Sequence, residues 1–388
     1  MKKDILLIIS NYSYFLMMFF LPISLLLDNI FLCILLLSII LQSKKAIKNN
    51  VLYFLIFFYI YTMFNGLINS FFLVEQQNYI KLLPLILIPF CLQNIDYKIK
   101  LKGLFFLAIG ILVIQINSVY GIINYYYFTD GKKYALNNYS KINEILNYER
   151  PYLGFFSLIN IIICFFYFSI LKKKIFSSIV AFFSIFLIIV ISARLAFIVL
   201  FLLLIIAFLK KMDIKNIAKI VFFSIGVGVL LFVSNNSLKD RFSQLGKDAR
   251  VITWKGASEI FHKNANYFFG SGSEENTREK LLEYYKSREG YVSLDEKNRF
   301  INNNYNTHNQ YINEILKGGL LGLLLFIIPQ LVLLYNNFKK NNSWALMFLV
   351  SIMSFCFVEN ILNRQVGVYL YAIVLSLTSI TFKLENND

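Results

Sequence analysis

The sequence predicts an all-α integral membrane protein of about twelve transmembrane helices, with both termini cytoplasmic and one large extracytoplasmic loop containing short helices. Three observations lead there. Hydrophobic residues make up 58% of the 388-residue chain and charged residues only 15%, far from the balance of a soluble domain. Apolar runs long enough to enter a bilayer recur from end to end. Lysines crowd into alternate connections between those runs, the signature that orients membrane proteins.

The runs cover residues 11–27, 29–42, 51–71, 80–94, 103–123, 151–171, 176–192, 194–209, 217–235, 318–336, 343–359 and 361–382. The opening "MKKDILLIIS" has the charged-then-apolar look of a signal peptide. Asn11, Ser13 and Tyr14 interrupt it, no small-x-small cleavage site follows, and it reads as a retained first helix. Five helices occupy residues 1–123, a first outer loop 124–150, four helices 151–235, a large periplasmic loop 236–317, and three helices with a cytoplasmic tail 318–388.

The net charge of +16 raises the question of nucleic acid, and its distribution answers it. With the N-terminus inside, the cytoplasmic segments hold 18 lysines against five acids, or +13, leaving +3 outside. The positive-inside pattern accounts for most of the excess without a nucleic-acid partner. Cys33, Cys91, Cys164 and Cys356 fall within runs at unpaired spacings and read as small buried hydrophobes.

Only two loops are long, and both face outward, so chemistry is expected there. In the larger, residues 250–263 place Ile252, Ala257, Ile260 and Phe261 at helical spacing, with Trp254 at the membrane interface and His262 structural. Gly270 and Gly272 break that helix, residues 274–289 form a second one ended by Gly290, and "NRFINNNYN" shows no period. No outer Asp-x-Asp pair or His/Cys/carboxylate cluster suggests a metal. "GSGSEEN" lacks the features of a dinucleotide or P-loop site, so no cofactor is expected and any group transferred must arrive on an activated donor.

The arginines are segregated. Arg150, Arg194, Arg241, Arg250, Arg278, Arg288, Arg299 and Arg364 all lie outside or at an outer membrane edge, while the inner side uses lysine alone. Arginine offers a planar fork that grips phosphate oxygens bidentately, which lysine does not. Arg278, Arg288 and Arg299 read as solvated surface. Arg194 in "SARLAF", Arg150 before Pro151 and Arg250 opening the interfacial helix stand at membrane-entry points where three guanidinium groups can line one cavity, with Glu149 and Glu359 as available ion-pair partners. In "NTHNQYINEILKGG", Thr307 and Gln310 fit a capping box, placing His308 and Asn309 in the first turn of a helix. The positive end of that helix disfavours an imidazolium, leaving His308 as a neutral general base.

These pieces, "ERPYLGFF", "SARLAF", "ARVITWKGASEIFHKNANYFFGSGSEE", "THNQYINEILKGGLLGLLLF" and "ENILNRQVGVYLYA", resemble in order and spacing the O-antigen ligase/polymerase family of bacterial membrane glycosyltransferases, over residues 150–370. The resemblance implies the multi-spanning lipid-donor fold type in the bacterial inner membrane, with a metal-independent active site facing the periplasm. It implies a glycan donor on undecaprenyl diphosphate in the membrane lipid, and lipid A–core or a growing polysaccharide as acceptor. It assigns the diphosphate to Arg194, Arg250 and Arg150, and deprotonation of the acceptor hydroxyl to His308, with Asn309, Glu359 and Arg364 in support. "SAR" departs by one residue from the family's more usual Ser-Arg step. A transporter or lipid-linked-oligosaccharide flippase is the alternative that many helices also suit, although it would favour related halves around a midplane site.

Overall fold

A computed structural model describes residues 2–42, 50–128, 143, 145–170, 174–191, 193–209, 249–263, 266–291 and 293–379. Among these residues every regular element is a helix. In chain order they are α1 (Lys2–Phe20), α2 (Leu25–Leu41), α3 (Asn50–Ile68), α4 (Gln76–Leu82), α5 (Pro84–Gln93), α6 (Tyr97–Phe128), α7 (Arg150–Ile170), α8 (Lys174–Val190) and α9 (Arg194–Leu209). Then follow α10 (Ala249–Lys263), α11 (Glu274–Ser287), α12 (Leu294–Asn303), α13 (Gln310–Lys339), α14 (Ser343–Cys356), a 3-10 turn (Ile361–Asn363) and α15 (Gln365–Thr378).

Helices lie over every expected apolar run but one; residues 217–235 lie outside the described residues. Four are both long and apolar enough to cross a membrane: Asn50–Ile68, Tyr97–Tyr125, Arg150–Tyr167 and Gln310–Lys339. The others are shorter apolar helices, and proline explains two of the differences from expectation. Pro22 sits in a turn between α1 and α2 that splits the run 11–27. Pro84 starts a new helix at its first position and divides 80–94 into α4 and α5, the place where its missing N–H costs nothing. At the C-terminal end, 361–363 winds as a 3-10 turn before α15 begins.

The bundle is not a ring of equivalent helices. In α7 the spanning window is 94% buried, against 33% for α3 and 39% for α6 and α13, so α7 runs through the protein interior while those three leave most of their apolar surface exposed. Gly154 permits this tight packing, because a Cβ there would stand 2.7 Å from the Ala193 side chain and 3.3 Å from that of Ala196. One turn further along α7, Ser157 Oγ accepts from Gln115 Nε2 at 2.9 Å, and the same amide reaches Ser184 Oγ at 3.1 Å. Polar clamps of this kind substitute for the hydrophobic drive that lipid cannot provide. Residues 366–378 of α15 are likewise buried throughout.

The residues between α9 and α13 hold a small helical unit with its own core. Leu281, Tyr285 and Phe300 are buried among side chains of α10, α11 and α12. α12 corrects the reading of "NRFINNNYN" as aperiodic: Ser293 caps it by accepting from Glu296 N at 3.1 Å, and Phe300 alone turns fully inward. A helix this short with one buried side chain has too few apolar positions to display a period. Burial raises the Tyr285 hydroxyl well above its ordinary value, so it stays protonated to donate to Tyr305 O at 2.8 Å.

α13 is broken at Gly319, whose φ of 63° and ψ of −162° lie outside the helical region. The break frees backbone groups that need partners away from water, and the loop 267–272 supplies them. Ser271 N donates to Leu316 O at 2.8 Å and Gly272 N to Lys317 O at 2.9 Å, while Leu320 N donates to Tyr267 O at 2.9 Å. From α3, Asn65 Nδ2 donates to both Phe269 O and Lys317 O, and Tyr61 Oη to Gly318 O. A Cβ at Gly319 would meet Phe268 O at 2.3 Å, whereas one at Gly290, also at positive φ, meets nothing within 4 Å.

Gly319→Ala is therefore expected to destabilise the detergent-purified protein by at least about 3 kcal/mol, combining backbone strain with the lost docking of the loop. Gly290→Ala should cost only about 1 kcal/mol. Equal shifts of the two thermal unfolding midpoints would count against the break as an anchor.

Candidate functional site

At the end of the bundle where α13 begins, the helix is capped by Asn309, whose side chain accepts from Ile312 N at 3.1 Å. This replaces the expected capping box. Thr307 Oγ1 lies 3.0 Å from both Asn309 O and Asn360 Oδ1 and is not available to cap. His308 consequently precedes the helix instead of sitting in its first turn, and its φ is +44°.

A left-handed backbone is costly for a residue with a Cβ and persists only where its surroundings determine it. Four contacts do so here. His308 N donates to Asn306 Oδ1 at 2.9 Å, Asn309 N to Asn360 Oδ1 at 2.7 Å, Trp254 Nε1 to Thr307 O at 2.8 Å, and Leu362 N to Gln310 Oε1 at 2.8 Å. The turn 358–364 and the helix α10 thus grip the histidine segment from two sides.

The same two elements bring the charges together. Glu359 points one carboxylate oxygen at His308 Nδ1, 3.5 Å away, and the other at Arg250 Nη2, 3.9 Å away. Arg250 Nη2 also donates to Val358 O at 3.4 Å. The carboxylate is 8% exposed, while the His308 and Arg250 side chains are each 31% exposed. A buried carboxylate therefore stands behind two groups that present open faces. With Nδ1 turned to Glu359, Nε2 is the nitrogen left to face a reactant.

Arg364 and Arg150 join this end of the bundle from α15 and α7. Arg364 pairs with Glu149 and lies over the Tyr152 ring at 4.9 Å, and Tyr152 packs edge-on against Phe355 of α14 at 5.0 Å. Arg150 opens α7 and is 8% exposed. Arg194 opens α9, and its neighbours Ala193 and Ala196 both pack against Gly154 of α7. Arg150 and Arg194 each occupy the first residue of a helix, so side-chain charge and backbone dipole add in sign. The carboxylates of Glu149 and Glu359 share this end of the bundle with them.

Asn360 is the residue that sequence reading missed. It is 3% exposed, its Oδ1 holds both Thr307 and Asn309, and its Nδ2 is buried without a hydrogen-bond partner. Its place beside Glu359 in "ENILNR" is the one available signal, and asparagine is too common in this chain to stand out.

Behind the site lies a buried polar network that also carried no motif. Gln310 Nε2 and Lys317 Nζ both donate to Glu314 Oε1, at 2.7 and 3.0 Å. Glu274 accepts from Asn313 Nδ2 at 2.7 Å and Asn363 Nδ2 at 2.6 Å, while Glu75 Oε1 takes the N–H groups of Glu274 and Glu275 at 3.0 and 3.2 Å. Among the described residues no group of three or more His, Cys, Asp or Glu is placed to hold a metal ion. A cavity of about 740 Å³ opens between α10 and α11 around Tyr284 and Arg288, on charges of both signs, and His308 and Glu359 do not line it.

A family model described as O-Antigen ligase matches residues 145–327, just under half of the chain. The match supports the resemblance read from the sequence as far as residue 327; it carries Arg150, Arg194, Arg250 and His308, while Glu359 and Arg364 lie beyond it. No curated protein matches the chain. That family implies an enzyme of membrane glycosyltransferase type.

Asn360→Leu removes the acceptor for Asn309 N and leaves that buried donor unpaired, at an expected cost of ~1–3 kcal/mol. If thermal unfolding in detergent moves by less than ~0.5 kcal/mol, Asn360 does not hold the histidine turn.

Proposed function

We propose that this chain, with an O-antigen ligase domain at its centre, transfers a glycan from undecaprenyl diphosphate to an acceptor hydroxyl on the periplasmic face of the inner membrane. The observation that carries this reading is the Glu359 carboxylate set between His308 and Arg250. It joins a candidate base and a candidate diphosphate ligand at one open-faced site.

In the proposed reaction the acceptor oxygen attacks the anomeric carbon of the donor sugar. The bond from that carbon to the diphosphate oxygen breaks, and the acceptor proton passes to His308 Nε2. Undecaprenyl diphosphate leaves with the electron pair of the broken bond. Its growing negative charge is the quantity that fixed guanidinium groups stabilise, a role that falls to Arg250 and Arg194, with Arg150 deeper and Arg364 held on Glu149. Glu359 orients the imidazole and supports the imidazolium that forms, as a carboxylate behind a catalytic histidine does. Asn309 fixes the start of α13 next to it. Lipid A–core as acceptor makes the protein a ligase; the next repeat unit of a polysaccharide makes it a polymerase. The ligase is the preferred assignment, and the acceptor assay decides it.

His308→Asn is the informative variant, because asparagine tolerates the left-handed backbone yet has no base. With purified protein, lipid-linked glycan and either acceptor, its transfer rate should fall by ~10²–10⁴-fold. Arg250→Lys keeps the charge but not the fork and should fall by at least ~10-fold. Full activity in a correctly inserted His308→Asn protein would rule out the assigned base.

A further inference from the structure

A second polar cavity lies at the opposite end of the bundle, where α3 starts and α5, α13 and α15 finish. It encloses about 430 Å³ and is lined by residues of all four helices and by Lys100 near the start of α6. The helix from Gly319 to Lys340 spans about 30 Å at ~1.5 Å per residue, so this cavity is a membrane's width from His308.

Its walls divide by chemistry. Gln93 ends α5 and is 8% exposed, and both its Oε1 and its Nε2 are buried without a hydrogen-bond partner. A buried amide that satisfies neither donor nor acceptor is rare and calls for a missing partner. Lys100, 6% exposed and with Asp96 as its charged neighbour, lines the same cavity, together with Lys340 and Asn336. Asn50, Ser376 and Ser379 add further polar groups, and Val51, Phe54, Leu92, Val332 and Leu333 supply an apolar part of the wall. This is the lysine-rich end of the protein.

We propose that this cavity binds the phosphodiester headgroup of an anionic glycerophospholipid of the inner leaflet. Lys100 and Lys340 neutralise the phosphate, Gln93 Nε2 donates to one of its oxygens, and Gln93 Oε1 accepts from a headgroup hydroxyl. One acyl chain lies along Phe54 and Val332. A basic pocket between helix ends on the cytoplasmic side is the setting in which such headgroups bind, and the apolar wall favours a lipid over a free anion. The assignment stands on its own residues and does not depend on the glycan-transfer reading.

The full chain in detergent, titrated with phosphatidylglycerol and followed by native mass spectrometry, tests it. Wild-type protein should retain one phosphatidylglycerol in preference to phosphatidylcholine. Gln93→Leu and Lys340→Gln should each weaken retention by roughly tenfold, the loss expected for a hydrogen bond or contact to a charged group. Gln93→Leu should also unfold at the wild-type temperature or above, since it removes an unpaired amide. Equal retention of both lipids, or wild-type retention by both variants, would overturn the proposal. Displacement of the bound lipid by inorganic phosphate would assign the cavity to a free anion and overturn it as well.

Discussion

The break in α13 is the constraint on which the His308 end of this protein depends. A helix interrupted inside a bundle leaves carbonyl and amide groups that neither lipid nor side-chain packing can satisfy. Leu316, Lys317 and Gly318 find their partners in the loop 267–272 and in α3. The loop is thereby fixed to the membrane part at the one place where both need it. α11 is fixed in turn, because Glu75 and Glu274 bind its first turn to α4 and to α13. What could have been a loose extramembrane excursion becomes a rigid continuation of the helices that flank it.

That rigidity is what allows a strained histidine. The turn around His308 is held by hydrogen bonds from α10, from the 358–364 turn and from α13 itself, elements far apart in sequence. Their meeting also aligns helix starts: α7, α9, α10 and α13 all begin near one end of the bundle with Arg150, Arg194, Arg250 and the His308 segment. Helix N-termini gathered in this way attract anions before any side chain is counted. Glu359 offsets part of that field and leaves the imidazole and a guanidinium facing outward on either side of one carboxylate.

How much of this was legible in the chain follows from what each feature requires. Helices could be read because apolar runs and lysine-rich turns are local signals, and the prolines that split two of them are visible in hindsight as Pro22 and Pro84. His308, Arg250 and Glu359 could be singled out by residue type and by place at a membrane edge. Their geometry could not. The cap on α13 belongs to Asn309, not Thr307, because Asn360 claims the threonine hydroxyl from more than fifty positions away, and no local pattern encodes a contact of that range. Asn360 and Glu314 escaped notice for the same reason, and Gln310 was read only as part of a capping box: in a chain this rich in asparagine and lysine, partners are recognised only once the fold brings them together. The interior position of α7 was equally hidden, since a run of apolar residues reads alike whether lipid or protein surrounds it.

α7 shows what that interior position entails. A span sheathed by protein on nearly every side is insulated from the thickness of a bilayer, whereas helices as exposed as α3, α6 and α13 would have to tilt or bend to suit one. The guanidinium group at the head of α7 is thus referenced to the protein's own frame and not to the lipid surface. Membranes of different composition can deform the periphery of the molecule while the depth of its charged mouth stays constant.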